Sequence, residues 1–179
     1  MTRKYKIGML IGRFQPFHRG HESIVQKMLE ECDQVVIAIG SAQESGTKVN
    51  PFRYDYRRFM IQKVFPEYFK RIIIVGIADR ANPADDESWG EYLLNTIYQN
   101  TSITPDAIYQ GAENKHNKWF DSFDIHIVNI NRELLKVSAT EIRKAILDND
   151  FDCFKTFMPE ALHSEFTNLR GILNDVESN

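Results

Sequence analysis

The stretch that decides the fold runs Gly12-Arg13-Phe14-Gln15-Pro16-Phe17-His18-Arg19-Gly20-His21. An apolar run at Lys6–Ile11 precedes it, and a helix-period pattern over Gly20–Glu31 follows it. A strand, a turn rich in glycine and proline, and a helix in this order form the first unit of an α/β sheet. In such sheets ligands bind where the carboxyl ends of the strands meet the N-termini of helices. The turn is therefore the first candidate site.

The same alternation of strand and helix patterns continues along the chain. Further strands are predicted at Gln34–Ile39, Arg71–Gly76, Ala107–Tyr109 and Ile125–Val128, and further helices at Arg53–Val64, Glu87–Tyr98 and, more briefly, Glu113–Phe120. After Val128 the patterns are helical only, at Ser138–Leu147, Phe151–Phe157 and Pro159–Leu173. We expect an α/β fold, a doubly wound parallel sheet of about five strands with a C-terminal helical cap over about residues 138–173. One domain should span residues 1–179, with a frayed end at Asn174–Asn179.

Composition limits the classes of partner. The chain has 179 residues, 42% of them hydrophobic, and a formal net charge of −3, so it has no general attraction for nucleic acid or anionic membranes. Its apolar runs are shorter than the roughly 18 residues of a membrane helix, and no signal-peptide pattern opens the sequence. We expect a cytoplasmic protein whose two cysteines are buried thiols with no metal-binding role.

The turn after the first strand combines several features of an anion site. Gly12 allows a tight exit from the strand, Gly20 allows close approach of a ligand, and Arg13 offers a bidentate donor. His18 and His21 are three residues apart, so both imidazoles can lie on one side of the first helical turn, where unpaired N–H groups attract a polyphosphate. Capping or surface histidines are the alternative interpretation, and coordination of zinc is a weaker one because no third ligand is evident.

A second candidate element is Ser138-Ala139-Thr140-Glu141-Ile142-Arg143, at the start of a later predicted helix. Serine followed three residues later by glutamate is a capping box that any helix can use. A capping box needs neither Thr140 nor Arg143, however, and a hydroxyl pair with an arginine one turn further on forms an anion pocket. The two roles are compatible.

Together these segments resemble the nucleotidyltransferases with an H-x-G-H signature, and within them the archaeal-type nicotinamide mononucleotide adenylyltransferases. The resemblance extends over about residues 5–165, through Gly40-Ser41-Ala42-Gln43, Asn50-Pro51-Phe52, Arg57, Trp89 and Gly111. It implies a Rossmann-like fold, ATP and nicotinamide mononucleotide as substrates, Mg²⁺ accompanying ATP, and NAD and pyrophosphate as products. We also expect a homo-oligomer.

The resemblance assigns roles to individual residues. The catalytic group comprises His18, His21, Arg13 and Arg143. The residues expected to bind ATP and its phosphates are Gly12, Phe14, Gln15, Gly20, Gly111, Ser138 and Thr140. Those expected to bind the mononucleotide are Ser41, Gln43, Asn50, Phe52, Arg57 and Trp89. No metal ligand is assigned to a protein side chain.

Several alternatives remain open from the residues alone. Trp89 suits stacking on a cationic nicotinamide ring, but a tryptophan in an amphipathic helix is more often part of the core. Arg53, Arg57, Arg58 and Lys63 form either a solvated helix face or a weak nucleic-acid surface. Tyr56 stands where the family usually has an acidic residue, and Ser45-Gly46-Thr47 where it often has Ser-His-Thr. Nicotinic acid mononucleotide or another small phosphate is thus an alternative acceptor, and a non-catalytic nucleotide sensor an alternative role.

Overall fold

The computed structural model describes residues 3–80, 86–111, 118–130 and 138–178, without the side chains of Asp86 and Glu87. The strands are β1 (Tyr5–Gly12), β2 (Cys32–Ile39), β3 (Ile72–Gly76), β4 (Ala107–Gly111) and β5 (His126–Ile130). The α-helices are α1 (Arg19–Glu31), α2 (Tyr54–Val64), α3 (Asp86–Thr101), α4 (Ala139–Leu147), α5 (Phe151–Phe157) and α6 (Phe166–Ser178). Short 3₁₀ helices lie at Pro66–Tyr68, Lys118–Phe120 and Glu160–Glu165.

The five strands form one parallel sheet in the order β3-β2-β1-β4-β5. The chain winds outward from β1 to β3 and then returns to the other side of β1 for β4 and β5. The direction therefore reverses between β1 and β4, and this switch point is where ligands of doubly wound sheets bind. Gly12 ends β1 and Gly111 ends β4, so both lie at the carboxyl edge beside the switch point.

Apolar side chains cover both faces of the sheet, as nearly continuous β-branched strands require. One buried cluster joins the sheet to α1, α2 and the C-terminal helices through residues such as Met28, Met60 and Ile142. The other joins the opposite face to α3 and the 3₁₀ helix before β5 through Leu93, Ile97 and Phe120. The expectation of a doubly wound α/β sheet with a helical C-terminal part is confirmed.

Two expectations about helices need correction. The pattern over Pro159–Leu173 is not one helix: a 3₁₀ helix at Glu160–Glu165 precedes α6. In this arrangement the Glu165 carboxylate bonds to Lys63 and Tyr56 of α2, which fixes the C-terminal helices to the rest of the fold. The expected fraying after residue 173 is also wrong, because α6 continues to Ser178. An exposed ion pair of 2.8 Å joins Lys48 to Glu177 in this last turn.

The remaining boundaries differ by small shifts. β5 begins one residue and ends two residues further along than predicted. Of the predicted helix Glu113–Phe120, residues 113–117 lie outside the described part and 118–120 form a 3₁₀ helix. Cys32 is buried as expected, whereas Cys153 is half-buried. Within the described residues, no helix has the length and apolarity needed to cross a membrane.

Candidate active site

The loop between β1 and α1 buries its aromatic side chains beneath the carboxyl edge of the sheet. Phe14 has a φ of 53°, in the left-handed region that a bulky residue rarely adopts, and its ring is only 2% exposed. A Cβ on Gly12 would lie 3.1 Å from that ring, so Gly12 makes room for it. The Phe14 ring therefore belongs to the core beneath the loop.

Gln15 joins this loop to the segment before α2. Its side-chain Nε2 donates to the carbonyl oxygen of Phe52 at 3.0 Å, and its Oε1 accepts from the amide of Phe52 at 2.9 Å. Both residues are buried. The structure thus brings together a residue predicted to bind ATP and one predicted to bind the mononucleotide, with both side chains turned into the protein.

The two histidines of the signature form the N-terminal cap of α1. Nδ1 of His18 accepts from the amide of Gly20 at 3.1 Å, and Nδ1 of His21 accepts from the amide of His18 at 3.3 Å. This reciprocal pair is a capping box in which imidazoles replace the usual serine and glutamate. The capping interpretation of these histidines is therefore confirmed, and it leaves a phosphate-binding role open.

Aromatic contacts fix the ring of His21. It stacks on the ring of His18 at a centroid distance of 3.7 Å and an interplanar angle of 27°. The ring of Phe14 meets it edge-on at 4.8 Å, and that of Phe17 lies tilted at 5.5 Å. Neighbouring rings on several sides leave the imidazole little freedom to reorient.

Arg143 brings the late helix to the first loop. Its Nη1 donates to the carbonyl oxygen of Gln15 at 2.7 Å, across 128 positions of sequence, and its Nη2 donates to Oγ1 of Thr140 at 3.2 Å. The predicted Ser138–Glu141 capping box is present at the start of α4. Burial, and then the charge of nearby Arg13, lowers the pKa of Arg143.

Arg57 lies inside the protein, so its assignment to a solvated helix face is wrong. Its side chain is fully buried, and its guanidinium donates to the carbonyl oxygens of Arg13 at 3.0 Å, Gly40 at 2.7 Å and Ser41 at 2.9 Å. These carbonyls follow the ends of β1 and β2. Burial lowers the pKa of Arg57, and three carbonyl acceptors compensate part of the cost of burying its charge. Arg57 thus clamps two strand-end loops together.

Asp79, which sequence reasoning missed, connects Ser41 and Gln43. Its carboxylate accepts from Oγ of Ser41 at 3.1 Å and from Nε2 of Gln43 at 3.0 Å, while its amide donates to Oε1 of Gln43 at 3.0 Å. Ser41 has a φ of 47°, so a second loop holds a non-glycine residue in the left-handed region. The loops after β2 and β3 are thereby bonded to each other.

Trp89 is half-buried and lies against Trp119, which sequence reasoning also missed. The two ring centroids are 4.6 Å apart at an interplanar angle of 31°. A Cβ on Gly90 would lie 1.7 Å from the carbonyl oxygen of Trp119. Only a glycine at this position of α3 therefore lets the segment that carries Trp119 approach the helix this closely. Trp89 also packs on the apolar cluster beside α3, and one indole thus has both a core contact and a partly exposed surface.

The other predicted residues lie at the same edge of the sheet or beside it. Gly20 and Gly111 are buried. Asn50 is also buried, and its backbone N–H donates to Oγ1 of Thr47 at 2.9 Å. Ser138 and Thr140 are exposed at the start of α4. Arg13 is exposed above the loop, and its charge lowers the pKa of both Arg57 and Arg143. Three arginines thus give this edge a local positive field despite the negative net charge of the chain.

A doubly wound sheet with a capped helix N-terminus and converging arginines at its switch point defines a nucleotide-binding α/β protein of Rossmann-like type. The cytidylyltransferase-like family model matches residues 9–145, and the chain belongs to this family.

Two curated relatives and one solved structure carry the comparison further. The nicotinamide-nucleotide adenylyltransferase of Methanococcus vannielii is 31% identical over 169 residues, which cover 91% of this chain and 89% of the relative. That of Haloarcula marismortui is 44% identical over 147 residues, covering 80% and 72% respectively. A bifunctional NMN adenylyltransferase/ADP ribose pyrophosphatase from Francisella tularensis, complexed with AMP and a manganese ion, has a TM-score of 0.78 at 24% identity. The match covers 97% of this chain and 52% of that one, so the chain spans about half its length, and the likeness shows the fold.

Proposed function

We propose that this protein transfers the adenylyl group of ATP to nicotinamide mononucleotide, forming NAD and releasing pyrophosphate. The observation that carries the proposal is the bond from Arg143 to the carbonyl oxygen of Gln15. It joins the late basic helix to the loop that holds the capped histidine pair. Both segments are therefore available to one polyphosphate, and the names of the relatives supply the acceptor.

In this reaction a phosphate oxygen of the mononucleotide attacks the α-phosphorus of ATP. A new P–O bond forms, the bond between the α-phosphorus and the bridging oxygen breaks, and the bond electrons leave with pyrophosphate. The protein contributes position and charge and no covalent intermediate. We assign His18, His21 and Arg13 to the triphosphate and Arg143 to the departing pyrophosphate, where negative charge increases in the transition state.

The acceptor side provides contacts of a different kind. We propose that the exposed part of the Trp89 ring stacks on the cationic nicotinamide, which combines aromatic stacking with a cation–π contact. We assign Ser41 and Gln43, whose side chains bond to Asp79, to contacts with the mononucleotide. Arg57 and Phe52 support the loops that carry these contacts. Nicotinic acid mononucleotide is the second acceptor that this site could take, with the negative charge of Asp79 acting against its carboxylate.

The side chains of the site are suited to a metal ion that is bound by the phosphates of the nucleotide. Within the described part of the chain, no group of three or more His, Cys, Asp or Glu side chains could hold a metal ion. The side chains around the first loop are cationic or aromatic. We propose that Mg²⁺ enters bound to the phosphates of ATP, where it offsets their charge.

The proposal extends to the setting of the enzyme. We propose that residues 1–179 act as one nucleotidyltransferase domain, in the cytoplasm, as a homo-oligomer and without nucleic-acid or membrane partners. The free cysteines support a reducing compartment. A groove of about 420 Å³ lies beside the edge strand β3 and is lined by residues such as Phe65, Phe69 and Ile73.

The deciding experiment identifies the product. The protein is incubated with ATP, Mg²⁺ and, separately, nicotinamide mononucleotide, nicotinic acid mononucleotide, a pantetheine phosphate and a sugar phosphate, and products are identified by mass. We expect NAD and pyrophosphate from nicotinamide mononucleotide, at a higher kcat/KM than from the acid. Adenylylation of a different acceptor only would replace the proposal, and nucleotide binding without any product would favour the sensor.

A further inference from the structure

Glu165 is a carboxylate of the C-terminal part of the chain that is buried against α2. Only 7% of the residue is exposed, and it ends the 3₁₀ helix that precedes α6. Its Oε1 accepts a bond from Nζ of Lys63, and its Oε2 accepts from the hydroxyl of Tyr56 at 2.9 Å and from Nδ2 of Asn168 at 3.1 Å. Burial raises the pKa of Glu165, but the bonds from these three donors lower it by more, so the pKa lies below its usual value. The side chain is therefore ionised at neutral pH.

The two α2 residues that bond to Glu165 lie on one face of that helix. Tyr56 and Lys63 are seven residues apart, about two helical turns, so their side chains leave α2 in nearly the same direction. Tyr56 belongs to the first turn of α2 and Lys63 to the last. One carboxylate, more than 100 positions away in sequence, thus attaches both ends of this helix face. Two attachments on one face restrain rotation of the helix about its axis.

Tyr56 lies beside the residue of α2 that joins the two strand-end loops. Arg57 is the next residue of the first turn, and its guanidinium donates to three carbonyl oxygens that follow the ends of β1 and β2. Each N–H group of the planar fork points in a fixed direction. A small rotation of α2 would therefore misalign several of these bonds at once. The bond between Tyr56 and Glu165 opposes that rotation at the turn that carries Arg57.

We propose that Glu165 is a positioning residue for adenylyl transfer, which acts through Tyr56 on Arg57 and so on the loops after β1 and β2. The inference rests on the proposed function, because that function assigns one of these loops to ATP and the other to the mononucleotide. Glu165 holds α2 in the rotation at which the Arg57 fork meets its three carbonyls. The C-terminal segment therefore supports the binding of both substrates and not only the stability of the fold.

Two substitutions in the full-length protein weaken this contact in different ways. Tyr56→Phe removes only the hydroxyl and keeps the ring that packs against Phe52 and Phe59. Glu165→Gln keeps the size of the side chain but leaves one acceptor oxygen for the donors of Lys63 and Tyr56. We expect each to raise the KM of ATP and that of the mononucleotide together by about 2–10-fold, with kcat within about threefold of wild type, because the groups assigned to the phosphates are unchanged.

A combined variant tests whether the effect passes through Arg57. Substitutions of residues that act through one another are not additive. Tyr56→Phe should therefore raise either KM little further in a protein that already carries Arg57→Lys. If the two increases multiply, Tyr56 and Arg57 act independently and the proposal is overturned.

Two exposed residues serve as matched controls. Glu160→Gln removes a carboxylate from the same 3₁₀ helix, and Tyr98→Phe removes a hydroxyl from α3. Both should leave the two KM values and the melting temperature near wild type, as surface substitutions usually do. A rise of either KM in the controls equal to that in Tyr56→Phe would overturn the proposal.

The remaining outcomes separate the positioning role from a structural one and from failure of the proposed function. A lowered melting temperature with wild-type KM values in both variants would mean that Glu165 only stabilises the fold, and would overturn the proposal. If the wild-type protein adenylylates no acceptor, the proposed function is rejected. The affinity for ATP, measured by calorimetry, then decides: weaker binding by Tyr56→Phe supports the positioning role, and equal binding overturns it. Should Glu165→Gln fail to fold, Tyr56→Phe, which keeps the bonds from Lys63 and Asn168, gives the answer alone.

Discussion

At the carboxyl end of β1, the side chains of His18 and His21 bond to the backbone at the start of the helix that they begin. We call this region, residues 12–21, the donor side, because we assign it to ATP, which donates the adenylyl group. At the ends of β2 and β3 the bonds run instead between side chains from distant segments, as in the Ser41–Asp79 and Gln43–Asp79 contacts. We call Ser41, Gln43, Asp79 and Trp89 the acceptor side.

The difference suggests that the two sides have different roles in the reaction. Backbone-capped side chains on the donor side have few alternative positions, which suits a site that must hold phosphates in line during transfer. On the acceptor side Gln43 and Asp79 are exposed, so the bond between their side chains is more easily rearranged. Substitutions on the donor side should therefore lower kcat, whereas those on the acceptor side should raise the KM of the mononucleotide.

The largest effect is expected from Arg143, which reaches the donor side from α4. Arg143→Ala should lower kcat/KM for ATP by about 10²–10³-fold, the usual cost of losing one donor to the transition state. Arg143→Lys keeps a positive charge but loses the planar fork that meets Gln15 and Thr140, so it should also lose activity, to a smaller extent. Steady-state kinetics with both variants measure this.

The control is Lys144→Ala, which removes an exposed cation at the next position of the same helix. It should leave kcat/KM within about twofold of wild type, as surface substitutions usually do. Wild-type kinetics in Arg143→Ala would exclude the residue from the active site and leave it a role in packing α4 against the loop.

Arg57 joins the two sides, so its replacement should affect both. The variant Arg57→Lys keeps the charge, but an ammonium group lacks the planar fork of donors that reaches three carbonyl oxygens at once. We expect a loss of about 1–3 kcal/mol in the free energy of unfolding, typical of buried polar groups left unpaired. The KM of ATP and that of the mononucleotide should both rise.

Arg58→Lys is the matched control, because this neighbour is exposed on the same helix and should change neither quantity. Denaturant unfolding and two-substrate kinetics supply the measurements. A change in the KM of one substrate only, without loss of stability, would contradict the role of Arg57 as a link between the two loops.

Trp89 tests the acceptor side, where stacking and core packing predict different results. If its ring stacks on nicotinamide, Trp89→Ala should raise the KM of the mononucleotide by about 5–30-fold, corresponding to 1–2 kcal/mol of cation–π and stacking energy, with the KM of ATP unchanged. If it is mainly core, the free energy of unfolding should fall by about 3–5 kcal/mol. Its contact with Trp119 makes a moderate loss of stability expected in either case.

Trp89→Phe separates the contributions, since a phenyl ring keeps an aromatic face while reducing the contact with Trp119. We expect intermediate KM values and near-wild-type stability, measured by kinetics and thermal melting. Normal KM for the mononucleotide in the folded fraction of both variants would rule out stacking.

The two sides also differ in how far they could be predicted from sequence. The histidine pair and the Ser138–Glu141 capping box depend on residues three positions apart, a spacing that helix geometry fixes locally. The burial of Arg57 depends on carbonyls from two other segments, and no local pattern contains that information. The bonds of Asp79 span 36 and 38 positions and were likewise missed.

Other omissions had a detectable signal. Gly90 lies inside a predicted helix, where an isolated glycine indicates close approach of another segment, and this approach is made by Trp119. Ile172 and Val176 are four residues apart and continue the apolar face of α6 beyond residue 173. The strands themselves were predicted because buried parallel strands are nearly continuous runs of β-branched residues.

The smallest effect is expected from Asp79→Asn, which tests whether bonds between side chains organise the acceptor side. Asparagine keeps the size of the side chain and one carbonyl oxygen but replaces the second acceptor oxygen by a donor, so it cannot accept from both Ser41 and Gln43. Loss of one such hydrogen bond, worth about 0.5–1.5 kcal/mol, should raise the KM of the mononucleotide by about 2–10-fold. The KM of ATP, kcat and the melting temperature should stay near wild type, because Asp79 is exposed and its hydrogen bonds run to Ser41 and Gln43. Asp124→Asn, an exposed carboxylate just before β5, controls for the change in net charge.

The sharpest measurement is the ratio of kcat/KM values for nicotinamide and nicotinic acid mononucleotides. If the negative charge of Asp79 acts on the acceptor, its removal should shift this ratio towards the acid. If Asp79 only positions Ser41 and Gln43, both KM values should rise together. An unchanged KM for both acceptors would show that the acceptor side does not depend on these bonds, and the contrast with the donor side would then lie in Trp89 alone.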